Sequence, residues 1–262
     1  MNRADRRRRE KQDERAVAGG LDIGEADQDQ VLSLTRVVYR EVVKALSSGS
    51  TAGLFQMFYA NLEKTDVQAP RDLVACRRGC SHCCKMWVSA TAPEIFHLVR
   101  LLRERSFNAD RIKRRTEATR GLDFFARSTQ IHDCPLLSDD GSCSVYAARP
   151  MVCRTAASSS AEQCFRAYIE MSGEDVPTPM FFMMQRTGYL MALRGAFLQA
   201  GLRLETYEFN EALMVALETD DAERRWLSGE DIFAGVQRDP EPNPVDDPGA
   251  RWFLAQAFGD GD

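Results

Sequence analysis

The sequence predicts a mostly α-helical protein, a helical domain built around a loop-rich, cysteine-ligated metal site. Apolar residues recur at three- and four-residue steps in several segments, as on one face of a helix. Strand signal is weak, with no alternation of strands and helices that would indicate a parallel sheet and no internal repeat. All eight cysteines fall between positions 76 and 164, and Pro135, Gly141 and Pro150 interrupt the part from Cys134 to Cys153. At 262 residues and 44% hydrophobic content, the chain can build a core without cross-links.

Taken in order, residues 1–25 are charged, Gly-containing and aperiodic, and are expected to form a disordered arm. Residues 26–69 hold two helices: Val31, Leu34, Val38, Val42 and Ala45 mark the first, SerSerGlySer ends it at 47–50, and Leu54, Met57, Phe58 and Leu62 mark the second. Residues 70–170 form the cysteine-cluster domain. Within it, Ala92-Pro93-Glu94 opens a helix, because Pro loses nothing in a first turn and Glu is favoured at the positive helix end. Asn108 or Asp110 caps an Arg-rich helix to about Arg120, and Pro135, Gly141 and Pro150 make residues 132–154 a run of loops. Residues 160–171 read as a helix at the end of this domain. C-terminal helices are expected within 171–238, at 179–200 and from Tyr207 to Leu217, followed by an acidic, Pro-containing tail over 239–262 with a short end at Trp252–Phe258.

Charge narrows the function classes. A net charge of −5 argues against general nucleic-acid binding, which rests on Lys and Arg neutralising phosphates. Residues 71–128 carry thirteen Lys/Arg against six Asp/Glu, and residues 204–262 carry four against fifteen, so the basic middle and acidic end are expected to pair within the molecule. The most apolar run, MFFMMQRTGYLMALRGAFL, is interrupted by Arg186 and Arg194 and falls short of the roughly 18 uninterrupted apolar residues of a membrane span. The N-terminus reads as neither a secretory signal nor a transit peptide, which makes a cytoplasmic location the expectation.

The candidate chemistry lies in the cysteines. Cys76, Cys80, Cys83 and Cys84 occupy CRRGCSHCC, and Cys134, Cys143, Cys153 and Cys164 are spread over a Pro- and Gly-containing stretch. Thiolates crowd where they share a cation, because anionic sulfurs otherwise repel, and zinc and iron are the metals thiolates hold best. Neither half is self-evidently complete, and the side chains of adjacent Cys83 and Cys84 tend to diverge. One multi-iron cluster, two metal ions, or ligands drawn from both halves would each relieve that strain. Disulfides would also explain an even count but conflict with a reducing compartment. A purely structural zinc site stands as a competitor. The C-x3-C-x2-C spacing of Cys76, Cys80 and Cys83 is shared with radical S-adenosylmethionine enzymes, but the strand series of their barrel is missing. His82, His97 and His132 all lie near cysteines; His82 is the one singled out as ligand or proton carrier, whereas His97 is expected to be buried and hydrogen-bonded.

The combination CRRGCSHCC, CPLL at 134–137, CSVYAARPMVCR from Cys143 to Arg154, and Cys164 resembles the cysteine-cluster (CxxCxxCC, YkgJ-type) zinc- or iron-chelating family, which includes flagellin lysine N-methylase. The resemblance covers about residues 70–170, and this chain has three residues between its first two cysteines where the family pattern has two. It implies a metal site using all eight cysteines, with an iron–sulfur cluster, of 4Fe-4S type, or zinc as cofactor. Its methylase branch implies S-adenosylmethionine-dependent methylation of protein lysines, with a protein as substrate, although the chain has no evident Gly-rich turn for that cofactor. Three functions are therefore in view: a metal-binding protein of redox type, a cluster-dependent protein lysine methyltransferase, and a zinc-stabilised module for a protein partner. Arg77, Arg78 and Lys85 flank the first cluster, where positive charge favours thiolate. Arg149 and Arg154, around Cys153, are expected to make ion pairs or carbonyl contacts, and Tyr146 to pack on the loop.

Overall fold

A computed structural model describes residues 2–23, 28–77, 79–105, 107–128, 130, 132–202, 204–239 and 248–259. The chain is mostly helical: α1 (Arg3–Ala16), α2 (Gln28–Ser48), α3 (Ala52–Asp66), α4 (Ala92–Glu104), α5 (Ala109–Thr119), α6 (Phe124–Ser128), α7 (Met151–Thr155), α8 (Ala161–Tyr168), α9 (Met180–Gln199), α10 (Phe209–Glu218), α11 (Ala222–Leu227) and α12 (Pro248–Phe258). Two strands, β1 (Ser89–Thr91) and β2 (Thr206–Glu208), pair antiparallel with Ala90 opposite Tyr207. No helix among the described residues is long and apolar enough to cross a membrane.

α2 and α9 form the central helix pair. Gly188 and Gly195, seven residues apart on α9, permit this approach: an added Cβ would meet Leu21 and Val31 at one and Thr35 and Phe253 at the other, between 3.2 and 3.5 Å. Around the pair, Leu34, Val38 and Val42 of α2, Phe55 and Phe58 of α3, Ile95 and Leu98 of α4, and Leu213 of α10 share one core, all at most 1% exposed. Tyr189 on α9 donates to Asn61 Oδ1 at 2.6 Å and lies 2.8 Å from the Thr65 hydroxyl, so the polar atoms that α3 buries are partnered across the core.

Three expectations are corrected. Residues 3–16 are not a disordered arm but a helix, capped by Asn2, whose side chain accepts from Ala4 and Asp5 N–H. Its low apolar content hid it, because it is held by charge: Asp13, 2% exposed, pairs with Arg36 at 2.8 Å and Arg40 at 3.2 Å on α2. Val17, Leu21 and Ile23 then enter the main core. Second, the helix expected from Tyr207 begins two residues later, since Thr206–Glu208 pairs with β1 and the Glu208 carboxylate accepts the Glu211 N–H at the head of α10. Third, the loop run 132–154 contains the short helix α7, which carries Cys153.

The C-terminal helix packs back onto α2 and α9, with Phe253 and Ala257 buried against Leu32; the Pro240–Pro244 part of the tail lies outside the described residues. Arg100 of the basic middle does pair with Glu223 of the acidic end at 2.7 Å, and Glu223 also accepts from Thr51 N–H at 2.6 Å. Much of the basic surface instead pairs locally: Arg111 with Asp139 and Arg115 with Asp133, both at 3.0 Å.

Candidate metal centre

The first cysteine stretch follows α3 in extended and turn backbone, then tightens into a single 3-10 turn over His82–Lys85 that carries Cys83 and Cys84. Gly79 has φ +82, a left-handed conformation that other residues adopt at a cost, and it lets the chain turn between Cys76 and Cys80. The second stretch is a small hairpin. Leu137 and Cys143 form a bridge, Ser138 N–H donates to Ser142 C=O at 2.7 Å, and Ser144 N–H donates to Leu136 C=O at 3.0 Å. Gly141 (φ +77) closes it against the first stretch, where an added Cβ would stand 3.2 Å from the Gly79 oxygen.

The two halves are brought together by named bonds. Cys134 N–H donates to the Cys84 carbonyl at 2.8 Å, and Ala75 N–H to the Ser158 carbonyl at 2.8 Å. Arg127, 2% exposed, donates to the carbonyls of Lys85 at 3.3 Å and His132 at 3.1 Å, strapping the residue after Cys84 to the loop before Cys134. Asp133 adds a bridge to Lys85 at 3.0 Å. At α7, the Met151 N–H donates to Glu94 of α4 at 2.7 Å, which fixes the helix that bears Cys153.

All eight thiols are free; Cys76 is exposed, Cys164 buried, and the other six intermediate. Several sulfurs already receive hydrogen bonds suited to a thiolate. The amide of Leu136 favours the Cys134 thiolate, that of Val145 the Cys143 thiolate and that of Ser158 the Cys76 thiolate, while the Ser158 hydroxyl donates to the Ser160 carbonyl at 3.1 Å. Such donors stabilise metal-bound sulfur and tune its potential. Burial pushes the Cys134 thiol up to about 12, with Cys143 adding to the effect, and burial raises Cys153 strongly, reinforced by Cys134 and Cys83. The Cys83 thiol is raised first by its hydrogen bond with Cys84 and then by burial. Thiols that oppose one another's ionisation in this way are a donor set that a shared cation relieves.

Among the described residues no three His, Cys, Asp or Glu side chains stand at metal-binding geometry. The fit to zinc or iron therefore lies in the chemistry of the donors and in the bonds joining their segments. An open pocket of about 270 Å³ lies at the solvent edge, lined by Ala75, Arg77, Gly79, Cys80, Ser81, His82 and Ala161. His82 is thus at the pocket wall, its ring edge-on to Phe165 at 5.8 Å. His97 lies apart, stacked on Tyr59 at 5.0 Å and Phe55 at 5.7 Å, and His132 lies 3.0 Å from Gln130 Oε1.

Of the flanking charges, Arg78 lies outside the described residues and Arg77 lines the pocket. Arg149 donates to the Tyr146 carbonyl at 3.1 Å, a carbonyl contact as expected of it, with its guanidinium 3.7 Å over the Tyr146 ring, so Tyr146, 61% exposed, packs on an arginine of its own loop. Arg154 pairs with Asp66 at 3.0 Å and bonds the Ala147 carbonyl, the ion-pair and carbonyl role expected of it. Arg127 and Ser158 were not singled out by sequence. Arg127 carries no local signal, and Ser158 sits in a serine run that reads as ordinary loop.

No curated protein and no solved structure matches the chain. Residues 75–171, which contain all eight cysteines, match the CxxCxxCC family model, described as a putative zinc- or iron-chelating domain.

Proposed function

We propose that the cysteine region binds iron in iron–sulfur form, of 4Fe-4S type, with each cluster taking four thiols from among Cys76, Cys80, Cys83, Cys84, Cys134, Cys143, Cys153 and Cys164, and serves a redox or catalytic role. The observation that carries this over a single structural zinc site is the number of donors: eight free thiols lie in one region, twice the four ligands that such a site takes. When bound, such a centre supplies electron transfer at a potential set by its sulfur hydrogen bonds and exposure. The Leu136, Val145 and Ser158 amides favour the thiolates of Cys134, Cys143 and Cys76, and His82 and Arg77 line the pocket that a reactant would enter.

The test is iron, zinc and acid-labile sulfide analysis, with an absorption spectrum, on protein purified without oxygen or a metal-binding tag. Iron and sulfide in equal amounts with broad visible absorption are expected. Zinc without sulfide, colourless and removable only with unfolding, would overturn the iron–sulfur reading and favour a zinc-stabilised interaction module. If iron is found, incubation with S-adenosylmethionine and lysine-bearing proteins asks whether the pocket serves methyl transfer.

A further inference from the structure

Away from the cysteines, a cavity of about 260 Å³ opens to solvent where the end of α4, the start of α5 and the end of α10 meet. α10 packs on both α4 and α5, so three helix ends fix its walls. The floor is apolar: Met214 is 9% exposed, and Phe107 and Leu217 are half-buried. The rim carries two cations, Arg103 and Lys113, and two carboxylates, Asp110 and Glu218, all exposed. Arg103 donates to the Leu217 carbonyl at 3.5 Å, but among the described residues no ion pair engages any of the four. Their neighbours on α5, by contrast, are paired: Arg111 with Asp139 and Arg115 with Asp133. Glu218 also sits against the local field. It is the last residue of α10, where unpaired carbonyls make the helix end negative, and the last turn of that helix holds no basic residue. A cation delivered to this rim would relieve it.

We propose that this cavity binds a zwitterion of the α-amino-acid class with an apolar side chain. The ammonium group pairs with Asp110 and Glu218, the carboxylate with Lys113 and Arg103, and the side chain lies on the floor of Phe107, Met214 and Leu217. A simple anion would meet two carboxylates along with the two cations, and a simple cation the reverse, whereas a zwitterion answers both signs. The volume lies just under the roughly 300–1,000 Å³ of sites for drug-sized ligands, which suits a single amino acid. The cavity shares no lining residue with the pocket at the cysteine edge, so it stands whether or not the thiols hold metal.

The test is isothermal titration calorimetry on the full-length protein with L-leucine and L-methionine. Isoamylamine and isocaproate serve as controls, since they keep the leucine side chain but lack its carboxylate or its amino group. Binding of at least one amino acid at millimolar concentration or below is expected, with each control weaker by about tenfold or more, as for the loss of one charge-assisted hydrogen bond. No binding of either amino acid, or a control that binds as tightly, overturns the proposal. Glu218→Gln and Lys113→Gln change exposed side chains, and each should weaken binding by about tenfold, with the melting temperature as the check of fold. Wild-type affinity in either variant would put the ligand elsewhere and overturn the assignment.

Discussion

Glu94 joins the helical frame to the cysteine region, and its loss gives a worked prediction. The side chain is 3% exposed and accepts three hydrogen bonds: Thr91 N–H and Thr91 hydroxyl at 2.8 Å each on one oxygen, and Met151 N–H at 2.7 Å on the other. Glu94→Ala removes the reciprocal cap of α4, worth about 1 kcal/mol. It also leaves the Met151 amide buried without a partner, which costs about 1–3 kcal/mol. The sum is about 3 kcal/mol, and with a urea slope of about 3 kcal/mol/M the midpoint should fall by about 1 M. Glu94→Gln keeps one acceptor oxygen but turns an amide NH2 toward an N–H donor, so it should lose roughly half as much. Because Met151 opens α7, both variants should also make Cys153 react faster with a thiol reagent. A midpoint within about 0.2 M of wild type for Glu94→Ala would refute the idea that this carboxylate joins α4 to α7.

Asp13→Asn should release α1 from Arg36 and Arg40 at a cost of about 2 kcal/mol, discounted because both arginines are partly exposed. Limited proteolysis would then cut within residues 3–16; an unchanged digestion pattern would return the segment to a dispensable arm. Glu223→Ala removes the acceptor for Thr51 N–H at 2.6 Å and Arg100 at 2.7 Å, and should lower stability by about 2 kcal/mol, read from denaturant midpoints. Burial, with Arg100 and Arg154 nearby, holds His97 down to about 4 from 6.5. The unfolded chain therefore takes the proton first, and the contribution of His97 is fully present above about pH 6.5 and lost as pH falls toward about 4. His97→Gln should flatten the decline in urea midpoint between pH 7 and pH 5; parallel slopes for the two proteins would contradict this.

Much of the helical frame was legible because it rests on local signals. Ala92, Pro93 and Glu94 mark the head of α4 in the sequence, and the apolar spacing of Val31 to Ala45 marks α2. What escaped notice depends on partners distant in sequence. The helix at Arg3–Ala16 needs Arg36 and Arg40 to anchor Asp13, and Thr206–Glu208 becomes a strand only because Ser89–Thr91 lies beside it. The same limit applies at the cysteines. Their density pointed to a thiol-rich site, but the bonds that assemble it run from Arg127 to Lys85 and from Ala75 to Ser158, across spans that no short motif records. His97, read in the sequence as buried, is half-buried, with its ring stacked on Tyr59 and Phe55.

The central claim is that these thiols hold metal, and stepwise modification tests it most directly. Anaerobically purified protein is titrated with a mercurial thiol reagent while a chromogenic chelator reports metal set free. The account predicts that metal release tracks thiol modification and is complete once all eight cysteines have reacted. Modification of all eight with no metal released would contradict it.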